Sequence, residues 1–451
     1  MTEIIDNSKQ FVNKFLKRGF LQAIPFWIAS IVTGVVAVGY AMMFAKAEEL
    51  HLYINGIKDW SIFIITPLCF LLAWWIVKKW APNAKGSGIP QVMAAIELAT
   101  PKTTSRIDKL LSLRIVIVKI VSSLIMVAGG AAIGREGPTI QIAGSIFYAI
   151  NRLTPASWPK LSRQSFILTG AAAGLAAAFN TPLGGLVFAM EELAKVHIRF
   201  FRTALFSAVI IAGLTAQAIA GPYLYIGYPV VSNLKFIVFF GVALTAILAG
   251  FGGALMSRLI LYLLSIRSKI KSNLKNILFV TGAGLLMATI AYFINADVMG
   301  SGKDIMTKVL FTSSKYEEWH TVVLRIIGPA ISFSSGGAGG VFAPALAAGA
   351  SIGAYLSGLF ELAGANANIL ILGGMVGFLT GLTRSPFTSA ILVLEMTDRH
   401  SVIFHLLLAA MMAQVAALII DKRSLYDHLK KQYMQPEEIP AVNHDKKPGS
   451  T

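Results

Sequence analysis

Residues Ile120–Asn151 read IVSSLIMVAGGAAIGREGPTIQIAGSIFYAIN, and nothing in this stretch is charged except Arg135 and Glu136. Long apolar runs on both sides put a carboxylate where ionisation is costly unless something replaces its lost water, which marks Glu136 as a functional residue. Pro138 follows almost at once. Proline suits the first turn of a helix, so a helix is expected to start at Pro138 with its free N–H groups aimed back at Glu136. A helix N-terminus is an anion site, and here a side-chain anion sits beside one.

The surrounding chain is of the same kind. Its 451 residues are 55% hydrophobic and 14% charged, with a mean hydropathy of +0.68. Those values describe an all-α polytopic membrane protein rather than a soluble enzyme. Charge-free runs long enough to span a bilayer include Gly19–Ala45, Gln164–Met190, Thr203–Leu234 and Ile326–Phe360, whereas Pro138–Ile150 and Ser385–Leu394 are too short to cross alone. Such a mixture of long and short segments, punctuated by Gly and Pro, is expected of tilted, partly broken helices.

The net charge is +17, and its placement decides what it means. Basic residues gather at Lys9, Lys14, Lys17 and Arg18, from Lys78-Lys79 to Arg114, over Arg267–Lys275, and from Lys422 onward. The loop Ala218–Ser232 is uncharged and carries Tyr223, Tyr225 and Tyr228. The positive-inside rule then places both termini and the Arg267–Lys275 loop in the cytoplasm and the tyrosine loop outside. No basic, aromatic-studded soluble domain is left to bind nucleic acid, and no such partner is expected. Cys69 is the single cysteine, so neither a disulfide framework nor a metal-ligand set is expected, and no cofactor is. The first twenty residues are polar and the apolar run after them is too long for a signal-peptide core, so it reads as a retained span.

The chain repeats itself. Ile167–Glu192 (ILTGAAAGLAAAFNTPLGGLVFAMEE) and Ile371–Met396 (ILGGMVGFLTGLTRSPFTSAILVLEM) superpose with a shift of 204 residues, matching Gly170 to Gly374, Pro182 to Pro386 and Glu191 to Glu395. A slip of two residues matches Pro138 to Pro344 and Glu136 to Phe342. Duplicated halves produce such long-period similarity in membrane chains, and an odd number of crossings per half relates them by inversion. Small-residue helices also resemble one another by chance, so both explanations stand at this point. The expected division is 1–19 cytoplasmic, 20–202 first repeat, 203–426 second repeat and 427–451 cytoplasmic tail.

Three segments share one grammar, glycines followed by a proline and an apolar helix: Gly86-Ser87-Gly88-Ile89-Pro90, Gly134-Arg135-Glu136-Gly137-Pro138 and Gly339-Gly340-Val341-Phe342-Ala343-Pro344. Thr181-Pro182 and Ser385-Pro386 add a hydroxyl at the expected N-cap. Half-helices of this type point their positive ends at a common anion, or else are simply kinked helices packed through glycine.

The three glycine-flanked motifs resemble, in the same order, the anion-selectivity motifs of CLC chloride channels and transporters. The resemblance runs from about Phe20 to Tyr426 and includes Leu392–Asp398 and Ala178–Leu183. It implies two inverted-topology repeats and a homodimer with one pathway per subunit in a bacterial inner membrane. It implies that Ser87, Tyr426 and the backbone N–H groups of Val341 and Phe342 bind a central chloride. Glu136 would be the gating glutamate, Glu192 the inner proton-transfer acid, and Lys119 a buried lysine that makes the region electropositive. Gly86, Gly88, Pro90, Gly134, Arg135, Gly137, Pro138, Gly340 and Pro344 are the supporting motif positions.

The residues leave several alternatives. Glu136 paired structurally with Arg135 is one. For Glu191 a solvated interfacial position or a structural salt bridge competes with function, and Glu97, Glu361 and Glu395 are read as helix caps or partners of basic neighbours such as Arg384. Gln91 and Met93 stand where many relatives carry acids. A proton-coupled chloride antiporter is the leading reading and a passive chloride channel the second. An intramembrane hydrolase using Ser87 needs a histidine at membrane depth, and only His405 begins an apolar run.

Overall fold

The computed structural model describes residues 2–100, 103–159, 162–193, 202–221, 224–232, 234 and 236–435. Tyr223, the basic residues Lys195, His197 and Arg199 that follow Glu191 and Glu192, and the tail beyond residue 435 lie outside the described residues, as do the side chains of Lys9, Lys14, Lys17 and Arg18. The described chain is helical throughout. In order, its helices are α1 (Thr2–Ile57), α2 (Ile62–Trp80), α3 (Ile89–Glu97), α4 (Thr104–Leu110), α5 (Leu113–Ala128), α6 (Glu136–Leu153), α7 (Arg163–Phe179), α8 (Pro182–Phe188) and α9 (Arg202–Ala220). They continue with α10 (Val238–Ser268), α11 (Asn273–Phe293), α12 (Lys303–Phe311), α13 (Trp319–Ser334), α14 (Phe342–Leu359), α15 (Gly364–Thr383), α16 (Pro386–Thr397), α17 (Ile403–Ile420) and α18 (Leu425–Met434).

The expected long spans are in part broken. Gln164–Met190 divides at Asn180, whose left-handed backbone (φ 57°) ends α7 before Pro182 opens α8. Ile326–Phe360 divides at the glycine-rich loop between α13 and α14. Among the described residues nine stretches are still long and apolar enough to cross a membrane. They differ in where they sit. Neighbouring protein buries 89% of the α15 window and 83% of the α14 window, but only 28% of the α11 window, so α14 and α15 are the centre and α11 faces outward. Glycine permits that density: a Cβ on Gly374 would collide with the Gly349 carbonyl, so α14 and α15 touch backbone to backbone.

Two inverted repeats account for the arrangement. Helices α3 and α12 have nine residues each and both follow a left-handed glycine, Gly88 (φ 101°) and Gly302 (φ 85°). Helices α5 and α13 have 16 residues each, and α6 and α14 have 18 each. Two contacts show the inversion directly. Gly134 and Gly340, matched by the register that equates Pro138 with Pro344, exchange two backbone hydrogen bonds of 2.8 Å in an antiparallel bridge. Residues matched across a two-fold axis meet this way only where they lie on the axis. The second contact is also reciprocal. Glu395 accepts from the Leu183 and Gly184 N–H groups at 3.0 and 2.6 Å, while Glu191 accepts from Phe387 and Thr388 N–H at 3.2 and 2.7 Å.

This exchange corrects two expectations. The hydroxyls of Thr181 and Ser385 do not cap the helices that follow them. The opposite repeat's glutamate does so, because a carboxylate satisfies two orphan N–H groups and complements the helix dipole better than one hydroxyl. Glu191 is accordingly not a free interfacial acid, and among the described residues it forms no salt bridge; it also accepts from the Thr388 hydroxyl at 2.7 Å. Glu97 pairs with Lys430 at 2.6 Å, whereas Glu361 is exposed, at φ 51°. Replacing Glu395 by Ala leaves two N–H groups of α8 unpaired and should lower stability by about 1–2 kcal/mol. Thermal unfolding in detergent should show this loss for Glu395→Ala and Glu191→Ala, but no change for Glu361→Ala.

Candidate functional site

The site is made where three glycine loops are sewn together. Gly86 N–H donates to Gly337 O (2.8 Å), and its carbonyl accepts from Gly339 N–H (3.1 Å) and from Lys119 Nζ (2.8 Å). The Gly134–Gly340 bridge completes the set. Together these bonds bring the N-termini of α3, α6 and α14 to one place. Lys119 is fully buried on α5 and acts here as a tie on the first motif's backbone.

Helix α6 starts at Glu136, two residues before the expected Pro138, with Arg135 as N-cap. Thr139 N–H already bonds the Arg135 carbonyl at 2.9 Å. Pro138 falls in the first turn, where its missing N–H would have had no intrahelical partner, so the helix extends back past it without losing a bond. Glu136 therefore belongs to the helix, and its side chain turns across to the opposite repeat. Only 1% of it is exposed. Oε1 accepts a 3.2 Å hydrogen bond from the Tyr225 hydroxyl, Oε2 lies over the Gly134 backbone, and the Ala343 N–H of α14 faces the carboxylate. Arg135 forms no ion pair with it; the guanidinium lies over the Tyr225 ring, 6.0 Å from its centre. The structural-pair reading of Arg135 and Glu136 is thus wrong, as expected for sequence neighbours that diverge at a helix start.

Ser87 and Tyr426 meet on the other side of the junction. Both are buried, and their hydroxyls approach each other without completing a hydrogen bond of good geometry. Ser424 sets the tyrosine: its Oγ accepts from Asp427 N–H at 3.0 Å and caps α18, which carries Tyr426 inward. The Phe342 ring, 6.0 Å from that of Tyr426, stands between this pair and Phe179 at 6.5 Å. Val341 is fully buried at the N-cap of α14. Two hydroxyl donors and converging N–H groups, with Lys119 committed to a carbonyl nearby, suit a monovalent anion held without a direct counter-charge.

Cavities approach from both sides. One of about 330 Å³ reaches Ser87 past Lys85 and Arg267. A small one of about 50 Å³ touches Glu136 and Tyr225, and shares Glu48, Ser301 and Lys303 with a wider cavity of about 650 Å³. Glu192 is elsewhere, on a π-helical turn at Ala189–Leu193 that continues α8, where it accepts from the Ser385 hydroxyl at 2.5 Å. Gln91 braces the approach to the first motif, its amide donating to Asn83 O (3.1 Å) and Lys85 O (2.8 Å).

Among the described residues no histidine lines the Ser87 cavity. His405 of α17 is instead stacked on Phe239 of α10, with ring centres 3.9 Å apart. Two residues escape a reading of the sequence. Tyr225 is one of three loop tyrosines, and nothing in the sequence says which turns inward. Arg325, fully buried on α13 and donating to the Met299 and Gly300 carbonyls (3.0 and 3.2 Å), does carry a signal. Like Lys119, it is a charge beside a long apolar run.

Known proteins agree with this architecture. The sequence profile described as voltage gated chloride channel matches residues 69–418. A relative from Citrobacter koseri, the H(+)/Cl(-) exchange transporter ClcA, is 27% identical over 417 residues, covering 88% of this chain and 86% of the relative. In fold, the chain matches a slow cyanobacterial Cl-/H+ antiporter with a TM-score of 0.79 at 23% identity, over 91% of this chain and 97% of that one. It also matches a CLC-type fluoride/proton antiporter with a TM-score of 0.74 at 18% identity, over 90% of this chain and 97% of that one.

Crystals grown in bromide should show an anomalous peak between Ser87 Oγ and the Tyr426 hydroxyl. A Cβ on Gly137 would collide with Ser87 Oγ, so Gly137→Ala should displace that donor and remove the peak. A bromide peak that is unchanged in Gly137→Ala, or lies elsewhere, would contradict the assignment.

Proposed function

The chain belongs to the voltage-gated chloride channel family, and from that premise we propose that it exchanges chloride for protons in opposite directions across the membrane. The observation that carries this reading is the position of Glu136. Its carboxylate is buried against the first turn of α14, the same helix whose Val341 and Phe342 N–H groups are proposed to bind chloride. Carboxylate and chloride are both monovalent anions, so they compete for the same helix ends. Protonation neutralises Glu136, which then yields to chloride and carries its proton away from the seat. One side chain thereby serves as gate and proton carrier.

The other parts have defined roles in this scheme. Ser87 and Tyr426 hold the central chloride by their hydroxyls, and Phe342 separates it from the outer side. Glu192 receives the proton on the inner side. Lys119 makes the junction electropositive while fixing Gly86, and Arg135 does the same near Tyr225. The relative named as an H(+)/Cl(-) exchange transporter supports coupling. A passive chloride channel on the same fold is the second reading, and Glu192, which accepts from the Ser385 hydroxyl at 2.5 Å, is the residue that discriminates between the two.

Further features belong to the same proposal. Both termini lie in the cytoplasm of a bacterial inner membrane. The repeats divide between α9 and α10 rather than at residue 203, since α9 (19 residues) and α17 (18 residues) occupy matching places. The exposed apolar side chains of Leu183, Ile210, Phe387, Val415 and Ile419, on α8, α9, α16 and α17, suit a homodimer with one pathway in each subunit.

In liposomes with a chloride gradient, the purified protein should drive protons uphill. Glu136→Gln should retain chloride flux within a few-fold and lose proton movement; Glu192→Gln should also lose proton movement while anions still pass. Chloride flux without proton movement in the unmodified protein would establish the channel instead.

A further inference from the structure

Residues 224–232, between α9 and α10, are fastened to the second repeat by hydrogen bonds. Ile226 N–H donates to Met396 O (3.3 Å), Asn368 Nδ2 to Val230 O (3.0 Å), and Arg399 to Pro229 O and Tyr228 O (2.7 and 3.1 Å). All three anchors are on or just after α15 and α16, so the second repeat fixes the segment over the first repeat's motif. Tyr225 is the residue this places inward. It is 4% exposed, its ring meets Phe179 edge-on at 4.8 Å, and its hydroxyl donates to Glu136 Oε1 at 3.2 Å. Arg135 and Lys303 lie over the ring at 6.0 and 5.3 Å.

We propose that Tyr225 is a positioning residue for the gate, a latch whose hydroxyl holds the ionised Glu136 in its outer seat and releases it on protonation. The proposal rests on the reading of Glu136 as gate. A carboxylate accepts the phenolic hydrogen bond strongly, and a neutral carboxylic acid accepts it weakly. The cations over the ring draw electron density from the phenol and strengthen the donor. The latch thus adds to the preference of the ionised form for its seat, because the Tyr225 hydroxyl meets Glu136 there. The other titratable and charged groups near Glu136 are Tyr40 and Glu48 on α1, Arg135, Lys303 at the start of α12, and Tyr426 on α18. Each is unchanged when the Tyr225 hydroxyl alone is removed.

Tyr225→Phe does that while keeping the ring on Phe179. Chloride flux from liposomes, measured across a pH series for the unmodified protein, Tyr225→Phe, Glu136→Gln and the double variant, tests the latch. Loss of a donor to the ionised form makes protonation easier, so Tyr225→Phe should reach half-maximal flux at about tenfold lower proton concentration than the unmodified protein. The Glu136→Gln and double variants should coincide and be insensitive to pH. A Tyr225→Phe curve that overlays the unmodified one, with Glu136→Gln insensitive to pH, would refute the latch and spare the gate. An equal effect of Tyr225→Phe in both backgrounds would also refute it, placing Tyr225 on the path itself. Glu136→Gln with the unmodified pH dependence would refute the gate and the latch together. Arg399→Leu, which loosens the segment without touching the site, should shift the curve in the same direction by a smaller factor; no shift would count against the latch.

Discussion

Two backbone hydrogen bonds between Gly134 and Gly340 carry the architecture. They join matched residues of opposite repeats, so they lie on the pseudo-two-fold axis and fix where both halves begin their central helices. A Cβ on Gly134 would collide with the Glu136 carboxylate, and one on Gly340 would crowd the Gly134 carbonyl and the Gly137 nitrogen at 3.1 Å, so both positions favour glycine. Everything functional follows from this tie. Helices α6 and α14 start side by side, their N–H groups unpaired by their own helices, and the Gly86 loop joins them through Gly337 and Gly339. An inverted repeat thereby places positive helix ends together in the middle of an apolar protein.

The symmetry is broken where chemistry is needed. The register that matches Gly134 to Gly340 sets Glu136 opposite Phe342. In the proposed scheme one repeat contributes an acid whose charge is switched, and the other an aromatic ring that separates the central site from the outer side. Helix capping keeps to the symmetry instead, with Glu191 and Glu395 exchanging places across the axis. Next to the symmetric Glu191 stands Glu192, whose matched position is Met396. The residues proposed to move protons are therefore those with no equivalent in the opposite half. The capping acids are structural because they do have one.

Much of this is legible in the sequence. Proline and glycine placement reveals the three convergent helix starts, and the register of the repeat correctly equates the two glycines that meet. What escapes has a physical cause. The start of α6 at Glu136 rather than Pro138 follows from the tolerance of a first turn for proline anywhere within it, which spacing cannot resolve. Thr181 and Ser385 are good caps by local chemistry, but glutamates some two hundred residues away displace them. Tyr225 reaches Glu136 only because Arg399 and Asn368 fasten its segment, a long-range effect with no local signature. Lys119 is the opposite case, since a charge inside an apolar run announces burial by itself.

The central claim is that the Glu136 carboxylate and chloride compete for one set of helix ends. Calorimetric titration of chloride into the detergent-purified protein, repeated in buffers of different ionisation enthalpy, measures that competition directly. If the claim holds, chloride binding is accompanied by proton uptake, so the apparent heat changes with the buffer, and chloride affinity rises as pH falls. Glu136→Gln should bind chloride with a heat independent of the buffer. Binding to the unmodified protein that is independent of both buffer and pH would contradict the account.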